Sequence, residues 1–356
     1  MVSGQAMRQG SVFIQQASAT RSVEGPAAPE GMSAEMQTAL LDLGKYEAAL
    51  QAATTAAART AAFEQYLQTM LSLYRLATTA EEKSDWIRQA ADSIYLAEQS
   101  NQIANGQARL QQLAATLQRD NAPTDGIAYV EYRLIEYQYS TTPAENDTQY
   151  EARQTKWIAD LEAFATKYAD SEVAAQALSE LAMLDEFAAN QDKALERYET
   201  ITTKYPNSEL AARAQGALWR LTAEGKTINL TGSLITGAPY DPASYRNKTL
   251  VVHCWANWSD PQGAETNAIR AAQTKFASKG VQCIGVIVDQ PAAEAQALAR
   301  QQRINWPQIA DEDGTLSTRF GLVTLPVIFI VDTDGKVLKV LDSAATLDDE
   351  LETLLK

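Results

Sequence analysis

Two cysteines and a single histidine carry most of the reactive chemistry available to this sequence. His253 and Cys254 are neighbours in the stretch Leu250-Val-Val-His-Cys-Trp-Ala-Asn-Trp-Ser-Asp-Pro-Gln262, and Cys283 lies in a second apolar run. A thiol becomes an attacking sulfur when a helix N-terminus or a cation stabilises its thiolate. The turn Trp258-Ser-Asp-Pro-Gln262 leads from the apolar run into a helical stretch and holds no cysteine, only the hydroxyl of Ser259 and the amide of Gln262 beside Asp260. A serine hydroxyl stays protonated at any ordinary pH, and glutamine cannot resolve a mixed disulfide. No Cys-x-x-Cys exists, and two cysteines with one histidine fall short of the usual zinc ligand count. A base role for His253 toward Ser259 lacks an orienting acid and any Gly-x-Ser-x-Gly setting. The residues therefore read as non-catalytic, with His253 a satisfied, half-buried histidine on a central strand. Cys254 and Cys283 read as small core hydrophobes with inert thiols. Asp260 and Glu265 stand where acids favour a helix dipole.

These residues need strands and helices to hold them. Thr249–Ala256 and Gly280–Asp289 are near-continuous apolar runs joined through a helical stretch, Gly263 to Lys279, so they are expected as parallel strands buried on both faces. A helix over Pro291–Gln302 follows, then a strand over Leu325–Asp332, and Thr333-Asp-Gly335 forms a hairpin turn. Lys336–Leu341 is the return strand, and Leu347–Leu355 the closing helix.

The preceding part is different. From Ser33 to Leu221 the chain is rich in Ala, Leu, Gln and Glu, and apolar residues recur at three and four. Examples are Leu40, Leu43, Tyr46 and Leu50; Phe63, Leu67, Leu71 and Tyr74; and Trp86, Ala90, Ile94 and Leu96. Eight or nine helices are expected. Thr166-Lys-Tyr-Ala-Asp-Ser-Glu-Val-Ala-Ala-Gln-Ala177 recurs as Thr203-Lys-Tyr-Pro-Asn-Ser-Glu-Leu-Ala-Ala-Arg-Ala214, an interval of 37 residues. That interval resembles helix-turn-helix arrays of the tetratricopeptide kind. In such an array Tyr168 and Tyr205 pack on the inter-helix turn, and Asp170 or Ser171, and Asn207 or Ser208, cap the next helix. Tyr129, Tyr132, Tyr137, Tyr139 and Trp157 could line a binding surface or a core.

The stretch 226–356 resembles the TlpA/ResA-like thioredoxin family, of the redoxin or AhpC/TSA type. Gly237-Ala-Pro-Tyr-Asp-Pro-Ala-Ser-Tyr-Arg-Asn-Lys248 is similar to the family's lead-in phrase, and Trp255, Trp258 and Pro261 match its active-site turn. In that family the turn reads Trp-Cys-x-Pro-Cys, so Ser259 and Gln262 occupy the cysteine positions. His253 takes the place of a buried acid. Leu325-Pro326 matches the step where the family has a cis-proline opposite the turn. The resemblance implies a binding surface for extended peptide at Trp258, Asp260, Pro261, Leu325 and Pro326, with no catalytic residue.

Net charge is −15, from 30 basic and 45 acidic residues, which opposes nucleic-acid grooves and anionic lipid. No run of eighteen apolar residues suggests a membrane span. The expected organisation is multidomain. A tail over 1–33 precedes an all-α helical-repeat domain over 34–222, clearest over 150–221. A linker and β-hairpin lead-in over 223–245 leads to an α/β thioredoxin-like domain over 246–356. The expected role is a redox-inactive scaffold or peptide-binding module without a cofactor, its oligomeric state open. The alternative is a thiol–disulfide oxidoreductase or peroxiredoxin-like enzyme using Cys254 or Cys283. The family implies the bacterial periplasm or cell envelope, although no signal peptide is visible in the first thirty residues.

Overall fold

The computed structural model describes residues 33–260 and 262–356; apart from Ser33, the tail expected over 1–33 lies outside the described residues. The chain divides into two compact units between Leu181 and Ala182.

The first unit is helical. Its helices are α1 (Ala34–Ala52), α2 (Ala56–Leu76), α3 (Ala80–Gln99), α4 (Gly106–Arg119), α5 (Thr124–Thr141), α6 (Asp147–Lys167) and most of α7 (Ala174–Phe187). Side chains at the starts explain where several begin: Ser33, Thr55 and Asn146 accept backbone N–H bonds, and Thr79 with Glu82 closes a full capping box. The periodic residues Phe63, Leu67, Leu71 and Tyr74 are buried as their spacing predicts. In α3 the buried stripe is Ile87, Ala90, Ala91, Ile94 and Ala97, while Leu96 is 54% exposed. The stripe therefore runs one residue away from the Trp86 and Leu96 positions read from the sequence, along the line that a 3.6-residue period draws through Ala90 and Ile94. Tyr129, Tyr132, Tyr137 and Trp157 are core residues. Their hydroxyls have local uses: Tyr129 Oη donates to Asp92 at 2.8 Å, and Tyr132 Oη donates to Glu180.

The second unit holds the end of α7, the hairpin α8 (Gln191–Lys204) and α9 (Glu209–Leu221), and the sheet. Before α9 Tyr205 is buried, and Ser208 Oγ accepts the Leu210 N–H at 3.2 Å. The sheet contains β1 (Thr249–Trp255), β2 (Val281–Val288), β3 (Gln308–Asp311), β4 (Val327–Val331) and β5 (Val337–Leu341), in the order β3-β2-β1-β4-β5. Strands β1, β2 and β3 run parallel, and β4 and β5 are antiparallel to their neighbours. Three helices connect them, α10 (Ala264–Phe276), α11 (Ala292–Gln301) and the short α12 (Thr315–Arg319), and α13 (Leu347–Leu354) follows β5.

Every residue of β1 is buried, as expected for a central strand with both faces covered. On one face Val251, Cys283, Ile328 and Ile330 pack against Ile269 and Phe276 of α10 and Leu351 of α13. On the other, Val252, Cys254, Val286 and Phe329 meet Phe320 and Trp219. Each such side chain contributes ~1.5–3 kcal/mol on burial. The lead-in covers the sheet's outer strands. Ile228 N and Gly225 N bond to the β4–β5 hairpin at Gly335 O and Val337 O, while Ile235 N bonds to Gln308 O of β3.

Candidate functional site

Strand β1 delivers the chain to its turn at the C-terminal edge of the sheet, and β4 starts at that edge because it runs antiparallel to β1, with Cys254 opposite Val327. The Trp258 turn and the Leu325–Pro326 step therefore share one edge. The Leu325–Pro326 bond is cis. Trp258 is 41% exposed, Gln262 is exposed, and Leu325 and Pro326 are half-buried. Pro261 lies outside the described residues.

Ser259 does not face His253. Its Oγ donates to the Ala256 carbonyl at 2.9 Å and accepts the Ala256 N–H at 3.0 Å, so the hydroxyl closes its own turn. Asp260 is turned inward, only 3% exposed, and accepts the N–H groups of Glu265 and Thr266 at 3.2 and 2.9 Å. It thereby supplies the α10 N-terminus with the acceptor its first turn needs. Glu265 reaches the other way and accepts Ser343 Oγ at 2.9 Å and the Ala344 N–H, tying α10 to the segment before α13.

His253 departs from the reading of a satisfied, half-buried side chain. It is fully buried, and neither ring nitrogen has a hydrogen-bond partner among the described residues. Its ring stacks on Trp255 with centroids 5.8 Å apart and planes within 7°. Burial pushes its pKa down to about 4, partly offset by the Asp260 carboxylate. A neutral imidazole is the form this site accepts. Trp255 is anchored beside it: Nε1 donates to Gln308 Oε1 at 3.0 Å. Gly285 makes room for that glutamine, since a Cβ there would lie 1.9 Å from Gln308 Oε1.

The two sulfurs sit on opposite faces of the sheet, Cys254 with Phe320 and Phe329, Cys283 with Ile269 and Phe276. Both are free thiols. Burial, with a smaller contribution from Asp311, raises the Cys254 pKa, and burial pushes that of Cys283 up to about 12. Among the described residues no group of three or more His, Cys, Asp or Glu side chains is gathered for a metal ion.

Residues 224–340 match the model of the AhpC/TSA family. The C-terminal domain carries the AhpC/TSA redoxin fold. The redoxin domain is similar to the thiol-disulfide oxidoreductase ResA of Bacillus thuringiensis subsp. konkukian, 25% identical over 122 residues, which span 34% of this chain and 70% of that protein. It is also similar to the soluble secreted antigen MPT53 of Mycobacterium tuberculosis, 26% identical over 133 residues, 37% of this chain and 76% of the antigen. Among solved structures, the thioredoxin domain of a Bacteroides vulgatus thiol-disulfide oxidoreductase aligns with a TM-score of 0.35 at 20% identity, covering 38% of this chain and 99% of that domain.

The site reading from sequence missed two partners of the redoxin domain's interior. Gln308 belongs to a strand too short to be recognised, and Gly285 was visible as a glycine inside an apolar run, the usual mark of a close approach.

Proposed function

We propose that the redoxin domain is a redox-inactive module that holds an extended peptide or partner segment against Trp258 and the Leu325–Pro326 step. The observation carrying this reading is the disposition of sulfur: none at positions 259 and 262, and the two thiols present buried on opposite faces of the sheet. A dithiol cycle needs two sulfurs within bonding reach and one thiolate open to substrate. The enzyme alternative, using Cys254 or Cys283, draws support from relatives that are oxidoreductases by name, and is opposed by the burial of both groups. What remains is an exposed indole at the same sheet edge as a half-buried proline step, groups suited to the side chains and backbone of an extended chain.

The helices over 34–222 are proposed as an array of the tetratricopeptide kind, offering a second protein contact. An exported, envelope location is proposed from the mycobacterial relative, which is described as secreted. Reduced, carboxymethylated ribonuclease A, an unfolded chain without thiols, serves as the probe. It is expected to bind the 356-residue chain, with Trp258→Ala weakening binding about tenfold or more, and the wild type to show no insulin reduction. Insulin reduction by the wild type, or probe binding indifferent to Trp258→Ala, contradicts the reading.

A further inference from the structure

Helix α9 meets the redoxin domain backbone to backbone. A Cβ on Gly216 would lie 2.0 Å from the Thr318 carbonyl oxygen and 2.5 Å from Gly321 N, and one on Gly321, at φ +54°, would lie 2.0 Å from Ala217 N. Neither position has room for a side chain. The following residues seal the contact. The Trp219 ring centroid is 5.2 Å from that of Phe320 and 5.8 Å from that of Phe329. Arg220, 7% exposed, donates from Nε to the Gly321 carbonyl at 3.1 Å and from one terminal nitrogen to both oxygens of Glu186 at 2.9 and 2.8 Å. Tyr198 Oη donates to the same carboxylate at 2.7 Å, so the buried charge pair is well supplied with partners.

An apolar packing arm has no use for a guanidinium at this place. Here the charged donor reaches a backbone carbonyl at the start of the segment Gly321–Leu325, which links α12 to the cis Leu325–Pro326 step. That segment has its own bonds, from Leu322 N to Ser317 O at 2.9 Å and from Val323 N to Gly321 O at 2.9 Å, but none further along to Pro326 among the backbone bonds of the described residues.

We infer that Arg220 is a positioning residue, fixing the Gly321–Leu325 segment and through it the binding edge, so that the α8–α9 hairpin, outside the span 224–340 that the family matches, is part of the working domain. Its consequence for binding rests on the peptide-binding reading above. Hydrogen exchange on the full chain tests the positioning, comparing the Leu322 and Val323 amides with those of β1; affinity for carboxymethylated ribonuclease A tests the consequence. Arg220→Met is expected to speed exchange at Leu322 and Val323 about tenfold or more with β1 unchanged, and to weaken the probe by a similar factor. Arg220→Lys, which keeps a donor, gives an intermediate result. Leu351→Ala, in the core on the opposite face, controls for lost stability by raising exchange throughout the sheet. If Arg220→Met does not fold, Arg220→Lys carries the test, with exchange at Leu322 and Val323 still raised above wild type and β1 unchanged. Loop exchange unchanged, or raised no more than in Leu351→Ala, overturns the inference. A loosened loop with unchanged probe affinity overturns its consequence for the binding edge. A wild-type chain that ignores the probe while its loop amides respond as expected refutes the peptide-binding reading and leaves the positioning role supported.

Discussion

His253 is the residue on which burial has the plainest consequence. Its folded pKa, pushed down to about 4 from an ordinary 6.5, means that the unfolded chain takes up a proton first as the pH drops. The contribution to stability is complete above pH 6.5 and is lost progressively as the pH falls from there toward 4. Its full size is on the order of 3 kcal/mol. Denaturant melts of wild type and His253→Phe between those limits should show this slope in the wild type and a flatter profile in the variant, whose ring can still stack on Trp255. A wild type as flat as the variant would refute the assignment. The same burial explains why the sequence misjudged this histidine: residue type and strand position were legible, but the missing partners depend on how α10 closes over β1.

At the scale of elements, two contacts that hold the site carry sharp predictions. Asp260 caps α10, so Asp260→Ala should lower stability by about 1–2 kcal/mol, while Asp260→Asn, which keeps an acceptor, should cost less. Gly285→Ala forces Gln308 away from Trp255 and should cost about 1–3 kcal/mol as an overpacked core. Thermal or denaturant melts check both, and neutral substitutions would contradict the geometry. Strands β1, β2, β4 and β5 and the long helices were legible because apolar run length and period announce them. Strand β3 was not. Gln308-Ile-Ala-Asp311 is four residues with one β-branched side chain, and it becomes a strand because β2 and the lead-in flank it on either side. The short α12 was likewise hidden, since its start depends on Asp311 accepting the Leu316 and Ser317 N–H groups at 2.8 and 2.7 Å.

At the scale of the molecule, the chain combines a helical N-terminal region with an α/β thioredoxin-like domain, and that class was readable from periodicity and from the Trp258 turn with its proline step. The union of α9 with the redoxin domain was not readable, because a glycine within a helix and a glycine in a loop give no sign of meeting. On the proposal that the turn lacks only its two sulfurs, Ser259→Cys combined with Gln262→Cys should create insulin-reducing activity above that of the wild type. A folded double variant without activity would mean that more than the cysteine pair has been lost. The most direct test of the central claim is a thiol titration of the wild type with a chromogenic disulfide reagent, native and in denaturant. The account predicts no rapidly reacting thiol in the native protein and reaction of both Cys254 and Cys283 once it unfolds. One thiol reacting rapidly in the folded chain at neutral pH would contradict it.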